Sequence, residues 1–175
     1  MATPPDFSSG AVLTAAQMNS VGCWLVKTQT VGTGVSSVTV TGAFSADYDN
    51  YLITDTGGAM SSDTAYRLTF DSANTQYYYT MIYGSFAGGA VNLAAGNNDV
   101  LINYAGGSAT RNGHIEVQSP FAVSNTEIRA RVRYATIYGT TVALHASPTS
   151  FTSFTITPAA GTMTGGTIRV YGYRN

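Results

Sequence analysis

Charge is what this sequence has least of. Its 175 residues include eight Lys and Arg and nine Asp and Glu, so only 10% are charged, against about 25% in an ordinary soluble domain. The net charge of −1 and pI of 6.0 leave no global field to attract nucleic acid or an anionic membrane. One cysteine, Cys23, excludes an intrachain disulfide and leaves the redox compartment open. No apolar run approaches the roughly 18–20 residues of a membrane-spanning helix. Met1 to Asp6 has no basic or apolar stretch of the kind a secretory signal needs, so synthesis in a cytoplasm is expected. Cys and His never recur at metal-ligand spacing, Gly-x-Ser-x-Gly is missing, and no Gly-Lys-Ser/Thr follows the loop Gly84 to Gly89. The expectation is a protein without metal or cofactor that neither enters membranes nor binds nucleic acid.

What is abundant is hydroxyl, aromatic and β-branched. Twelve tyrosines and seven phenylalanines recur in short alternating runs: Trp24 to Gln29, Val38 to Val40, Tyr51 to Thr54, Tyr66 to Phe70, Gln76 to Tyr83, Asp99 to Tyr104, His114 to Gln118, Glu127 to Ile137, Thr141 to His145, Phe151 to Thr157 and Thr167 to Tyr173. Glycine pairs such as Gly57-Gly58 and Gly165-Gly166 separate them. Short strands at near-regular spacing predict an all-β, antiparallel β-sandwich, and the long breaks between several of them favour crossing, jelly-roll-like connections. The helix signal is local. Thr14-Ala15-Ala16-Gln17 is a capping box, Leu13 can staple onto Met18, and Gly22 ends the helix. Two turns need something to dock on. The chain thus divides into an N-terminal arm and short helix, residues 1–22, and a sandwich, residues 23–175.

Two strands carry candidate sites. In Ile128 to Tyr134, period two places Ile128, Ala130, Val132 and Tyr134 on one face and Arg129, Arg131 and Arg133 on the other. Such a stripe suits phosphates or acidic glycans; with net charge −1, an intersubunit contact or protection of a sheet edge is the favoured role. Tyr77, Tyr79, Met81 and Tyr83 share one face of the next candidate strand, with Tyr78, Thr80 and Ile82 on the other, so cover on both sides is expected. Tyr77, Tyr79, Tyr83 and Phe86, near Asn92, Asn97 and Asn98, supply rings and amides of the kind that bind sugars, although packing accounts for most of these tyrosines. His114 and His145 sit at strand ends, where hydrogen bonding to backbone or water is the ordinary role. Cys23 is expected to be a buried small hydrophobe. The cluster Asp47-Tyr48-Asp49-Asn50 reads as an Asx-turn rather than a calcium loop. Glu116 falls on the polar side with His114 and Gln118, opposite Ile115 and Val117. The carboxylates Asp63, Asp71, Asp99, Glu116 and Glu127 would support glycoside hydrolysis only if two faced each other across a cleft, roughly 5–10 Å apart.

The segment Phe7-Ser8-Ser9-Gly10-Ala11-Val12-Leu13-Thr14-Ala15-Ala16-Gln17-Met18-Asn19 resembles the N-terminal attachment segments of bacteriophage tail-fibre and virion proteins. Phe154 to Pro158, followed by Gly165 to Arg174, resembles the closing hairpin of small β-rich phage proteins, and Phe44 to Tyr51 fits the same group. The likeness covers both ends and little between Thr56 and Ser147. It implies a trimeric β-domain held to the virion through Phe7, Leu13, Thr14, Gln17 and Met18, with other phage tail or head proteins and itself as partners, and it assigns no catalytic residue. The expected role is host attachment as a tail-fibre or receptor-binding module that contacts a host surface glycan. Capsid decoration or a head fibre is the alternative, and a tailspike polysaccharide hydrolase a further one.

Overall fold

The alternating runs become fourteen strands among the described residues. The structure is a computed structural model that describes residues 10, 12, 22–99, 102–106, 111–134 and 136–173. The expected helix and the attachment residues Phe7, Leu13, Thr14, Gln17 and Met18 lie outside the described residues.

Eight strands form one antiparallel sheet. In spatial order they are β1 (Cys23–Thr30), β14 (Thr167–Tyr173), β3 (Asn50–Thr56), β9 (Asn112–Gln118), β10 (Thr126–Tyr134), β11 (Ile137–His145), β6 (Tyr77–Ser85) and β7 (Gly88–Asp99). Four more, β2 (Val38–Val40), β12 (Phe154–Pro158), β5 (Ala65–Phe70) and β8 (Ile102–Gly106), form the second sheet, and β4 (Ala59–Met60) pairs with β13 (Met163–Thr164). The chain passes repeatedly between the sheets, so the fold is an all-β antiparallel sandwich with crossing connections. Its eight-plus-four division departs from two equal sheets.

Period two decides what is inside. Tyr51, Ile53, Ile115, Val117, Ile128, Ala130, Ala143, Ile168 and Val170 from the large sheet meet Val38, Val40, Tyr66, Leu68, Phe70, Phe154 and Ile156 from the small one, and all are buried. Burying each of the larger side chains contributes roughly 1.5–3 kcal/mol. At one end Phe70 stacks on Phe151 at 5.0 Å, and the buried His145 stands edge-on to Phe151 at 4.9 Å and Tyr77 at 4.7 Å. Burial holds the His145 pKa below the ordinary histidine value, against the opposing pull of hydrogen bonding to the backbone of Ser147 and Thr75.

Several boundaries differ from the sequence reading. The stretch after Gly88, expected to be loop, is β7: alternation is weak in Gly88–Asp99 because small residues predominate, and pairing with β6 supplies the order that pattern does not. The single run expected from Glu127 to Ile137 is two strands, β10 and β11, joined as a hairpin. Cys23 is exposed rather than buried, because β1 is the outermost strand of the large sheet. The Asp47 turn is held locally: the Ser45 hydroxyl donates to Asp47 Oδ2 at 3.1 Å and accepts from the Asp47 N–H at 3.3 Å.

Candidate functional site

The two outward faces of the sandwich differ in chemistry. On the small sheet, Thr39, Thr155 and Thr69 align across β2, β12 and β5, with the Thr39 and Thr155 hydroxyls 2.9 Å apart. Arg67, opposite Thr157, adds one cation to this face. The large sheet turns out four of the chain's eight cationic Lys and Arg residues, Arg129, Arg131, Arg133 and Arg169, beside an apolar area on β11, β6 and β7.

Register explains the arrangement. β10 lies between β9 and β11, so its arginines are interior to the sheet and do not protect an edge. Arg129 is directly opposite Glu116. Arg131 is opposite Thr140 and Arg133 opposite Tyr138, so neither meets an acid across the strand. Among the described residues the one ion pair joins Arg111 to Asp55, elsewhere in the fold. Alternate residues on a strand stand ~7 Å apart. Two guanidinium charges at that spacing repel by ~0.6 kcal/mol in water and by ~2 kcal/mol at an effective dielectric near 20. An anion between them would relieve that repulsion.

A cavity of 380 Å³ opens there, lined by Thr54, Thr56, Asn112, His114, Arg131, Arg133 and Tyr138 with Gly113 and Gly139. Glycine at 139 keeps this stretch tight, since a Cβ there would fall 2.0 Å from the Ile82 carbonyl oxygen on β6. The Arg133 guanidinium carbon lies 5.8 Å from the Tyr138 ring centroid, and Phe86 packs on the same ring at 4.2 Å. Arg169 donates to the Thr56 hydroxyl at 3.3 Å. A smaller hollow of 190 Å³ continues along the stripe between His114, Glu116, Arg129, Arg131 and Thr140. Cations, hydroxyls, an amide and a ring thus converge on one floor. The sequence supplied the arginines; Thr54, Thr56, Asn112 and Tyr138 were not legible as their neighbours, because the register of β3, β9 and β11 against β10 brings them together.

Next to the cleft, Ile82, Val91, Leu93, Phe86, Tyr138 and Val142 are exposed, Leu93 and Phe86 at 72%. Ile82 pairs with Leu93 and with Thr140 across the strands. β7 forms the free edge of the large sheet, and Val91, Asn92 and Leu93 are exposed on both of its faces. The outer side of β6 is therefore open within one chain, not covered as expected.

The aromatic candidates separate. Tyr77 is fully buried; its hydroxyl accepts from the Phe70 N–H at 2.7 Å, and burial pushes its pKa up to about 12. It is a core residue with no surface for a ligand. Tyr79 is half-buried against the core, its ring over Gly96, and it borders a shallow 570 Å³ depression with Tyr78, Asn97, Glu127 and Leu144. Tyr83 is half-buried, and Phe86 is the exposed ring that supports Tyr138. Among the candidate carboxylates, Glu116 and Glu127 are diagonal neighbours on one open sheet face and do not stand on opposite walls of a cleft. Asp71 accepts from the Ser153 N–H at 2.8 Å, from the Thr152 N–H at 3.2 Å and from the Ser153 hydroxyl, and so ties down the loop before β12. Glu116 and Glu127 lie on adjacent strands of one open face, opposite Arg129 and Gln118 respectively. No group of three or more metal-ligating side chains occurs among the described residues, and no helix among them is long and apolar enough to cross a membrane.

No protein-family model matches the chain, and no curated protein matches it. Among solved structures it is similar to a chain from the structure of the tripod (BppUct-A-L) from the baseplate of bacteriophage Tuc2009, at 15% identity and a TM-score of 0.27, over 100% of this chain and 76% of that one. The likeness is too distant to fix either the topology or the role of this chain.

Proposed function

We propose that this chain is a bacteriophage virion structural protein: an adhesive module of the tail-fibre or receptor-binding kind, joined to the particle through residues 1–22 and assembled from identical copies, three by the resemblance of its ends to phage proteins. The observation that carries the reading is the contrast between the two outer faces. The sandwich presents a row of hydroxyls with a single arginine on one side and, on the other, a cleft with clustered arginines beside an uncovered apolar area and a free strand edge. Such a surface holds partners, and weak contacts repeated across copies multiply.

A second copy is the fitting cover for the apolar area. Exposed Ile82, Val91, Leu93 and Val142 carry no charge to repel their equivalents, the net charge is −1, and a long edge strand whose one charged residue is the terminal Asp99 is a template for pairing. The repeated passage between sheets supports a jelly-roll-like description. The module binds rather than transforms, a reading favoured by the engagement of Asp71 in a loop and by the flat placement of Glu116 and Glu127. The virion is the proposed location.

The test is deletion of residues 1–22. The truncated chain is expected to keep its fold by circular dichroism and to be absent from particles assembled in its presence. Normal incorporation overturns the attachment role. Particles lacking the protein that adsorb normally but have fragile heads would move the chain from fibre to capsid decoration.

A further inference from the structure

We propose that the cleft formed by Arg131, Arg133, His114, Thr54, Asn112 and Tyr138 binds an acidic sugar, one bearing a phosphate or carboxylate group, with the anion between the two guanidinium groups and the sugar ring against Tyr138. The inference rests on the adhesive reading and names the ligand class of that face.

Five observations converge. Arg131 and Arg133 project from one strand into one cavity and, unlike Arg129, have no acid opposite them in register. Guanidinium groups grip carboxylate and phosphate oxygens bidentately, which lysine cannot do, and every cation of this stripe is arginine. Thr54, Thr56 and Asn112 add hydroxyl and amide partners on the same floor. The Tyr138 ring is held by Phe86 at 4.2 Å and has the Arg133 guanidinium over it, 5.8 Å from its centroid, so a ligand reaching that guanidinium also meets the rim of the ring. The 380 Å³ volume falls within the small-ligand range of about 300–1,000 Å³. A nucleic acid is a poorer fit: from Arg129 to Arg133 the stripe spans only ~13 Å, and the chain as a whole is weakly acidic.

The full chain, labelled with nitrogen-15, is titrated with glucose 6-phosphate, glucuronate, glucose and inorganic phosphate. Expected are saturable shifts at Thr54, His114 and Tyr138 with one or both acidic sugars, weakened by salt. The double variant Arg131→Gln/Arg133→Gln should lose at least about tenfold in affinity, while Arg129→Gln, whose arginine faces Glu116, should change it little. Glucose binding as tightly as the acidic sugars overturns the role of the arginines. Inorganic phosphate binding as tightly as glucose 6-phosphate overturns the sugar assignment. If the double variant keeps its ligand affinity but changes oligomeric state by light scattering, the arginines are subunit contacts and the proposal fails. None of these outcomes depends on particle incorporation, so the attachment role is tested separately.

Discussion

Arg111 and Asp55 form a buried ion pair, Nη2 to Oδ1 at 2.8 Å, with side chains 0% and 1% exposed. The pair lies under two double-glycine turns. Gly58 and Gly165 approach so closely that a Cβ on Gly58 would fall 2.2 Å from the Gly165 carbonyl oxygen, and one on Gly166 would fall 2.6 Å from Arg111 Nη2. The Arg111 N–H also donates to the Gly58 carbonyl at 3.3 Å. Asp55 Oδ2 and Arg111 Nε and Nη1 have no hydrogen-bond partner among the described residues. A buried pair so incompletely satisfied adds little net stability, but removing one member can be costly. Burial raises the Asp55 pKa to about 6, the Arg111 charge and hydrogen bond opposing without overcoming it.

That balance predicts a cost for removing either partner. Arg111→Met should destabilise the fold by ~3 kcal/mol or more, since it strips the buried carboxyl of its donor. With a folded pKa of about 6 the carboxyl is mostly ionised at neutral pH, so Asp55→Asn leaves the buried guanidinium without its counter-charge; arginine cannot shed its proton as a stranded carboxyl can gain one, and the cost should be at least as large. The double variant Arg111→Met/Asp55→Leu should recover most of the loss. Denaturant unfolding measures all three; a much smaller loss for Asp55→Asn than for Arg111→Met would show that the guanidinium does not need the carboxylate charge.

The same shift has a sign in pH. Because Asp55 binds its proton more tightly in the folded chain than in the unfolded one, its contribution is fully present below an unfolded pKa of about 3.8 and declines as pH rises through about 6. The group is worth up to ~3 kcal/mol across that window. Unfolding curves at about pH 4.5 and 7 should therefore differ less steeply in Asp55's favour once it is Asn. A wild-type minus Asp55→Asn difference that is flat with pH would refute this.

His145 works in the opposite direction. Its folded pKa lies below the ordinary 6.5, so the stability it lends is present above that value and is lost as pH falls through the folded pKa. Replacing it with Phe, among Phe70, Tyr77 and Phe151, should remove that loss on acidification. Thermal melts of both forms between about pH 7 and 5 read the effect; identical slopes would place the imidazole in contact with water.

Glycine substitutions separate backbone strain from collision. Gly34 has φ +65 with nothing within 4 Å of an added Cβ, whereas Gly166 has φ +88 and meets both Gly57 and Arg111. Gly34→Ala should cost about 1 kcal/mol from the left-handed backbone alone. Gly166→Ala should cost distinctly more and disturb the Arg111 pair, visible as a lower unfolding midpoint. Equal costs would mean that the turns move apart freely.

Much of the sandwich was legible because period two is a property of neighbouring residues. Ile128 and Ala130 inward with Arg129 and Arg131 outward, or Ile115 and Val117 against His114 and Glu116, follow from alternation alone, and the structure keeps every one of these assignments. β7 was not legible, since small residues alternate too weakly to signal a strand and only pairing with β6 orders them. Nor was Arg111. An arginine between glycine-rich breaks looks like surface, and only the meeting of two turns more than a hundred residues apart encloses it.

The cleft divides in the same way. By itself the sequence determined that this is a weakly charged, all-β chain with three arginines on one side of one strand, because side-chain direction along a strand is fixed by local geometry. Tertiary structure decided that this strand lies inside an eight-stranded sheet, that one arginine meets an acid while two do not, and that Thr54, Asn112, His114 and Tyr138 surround those two. Neighbours across a sheet are set by register between segments distant in the chain, and register depends on how the whole core closes.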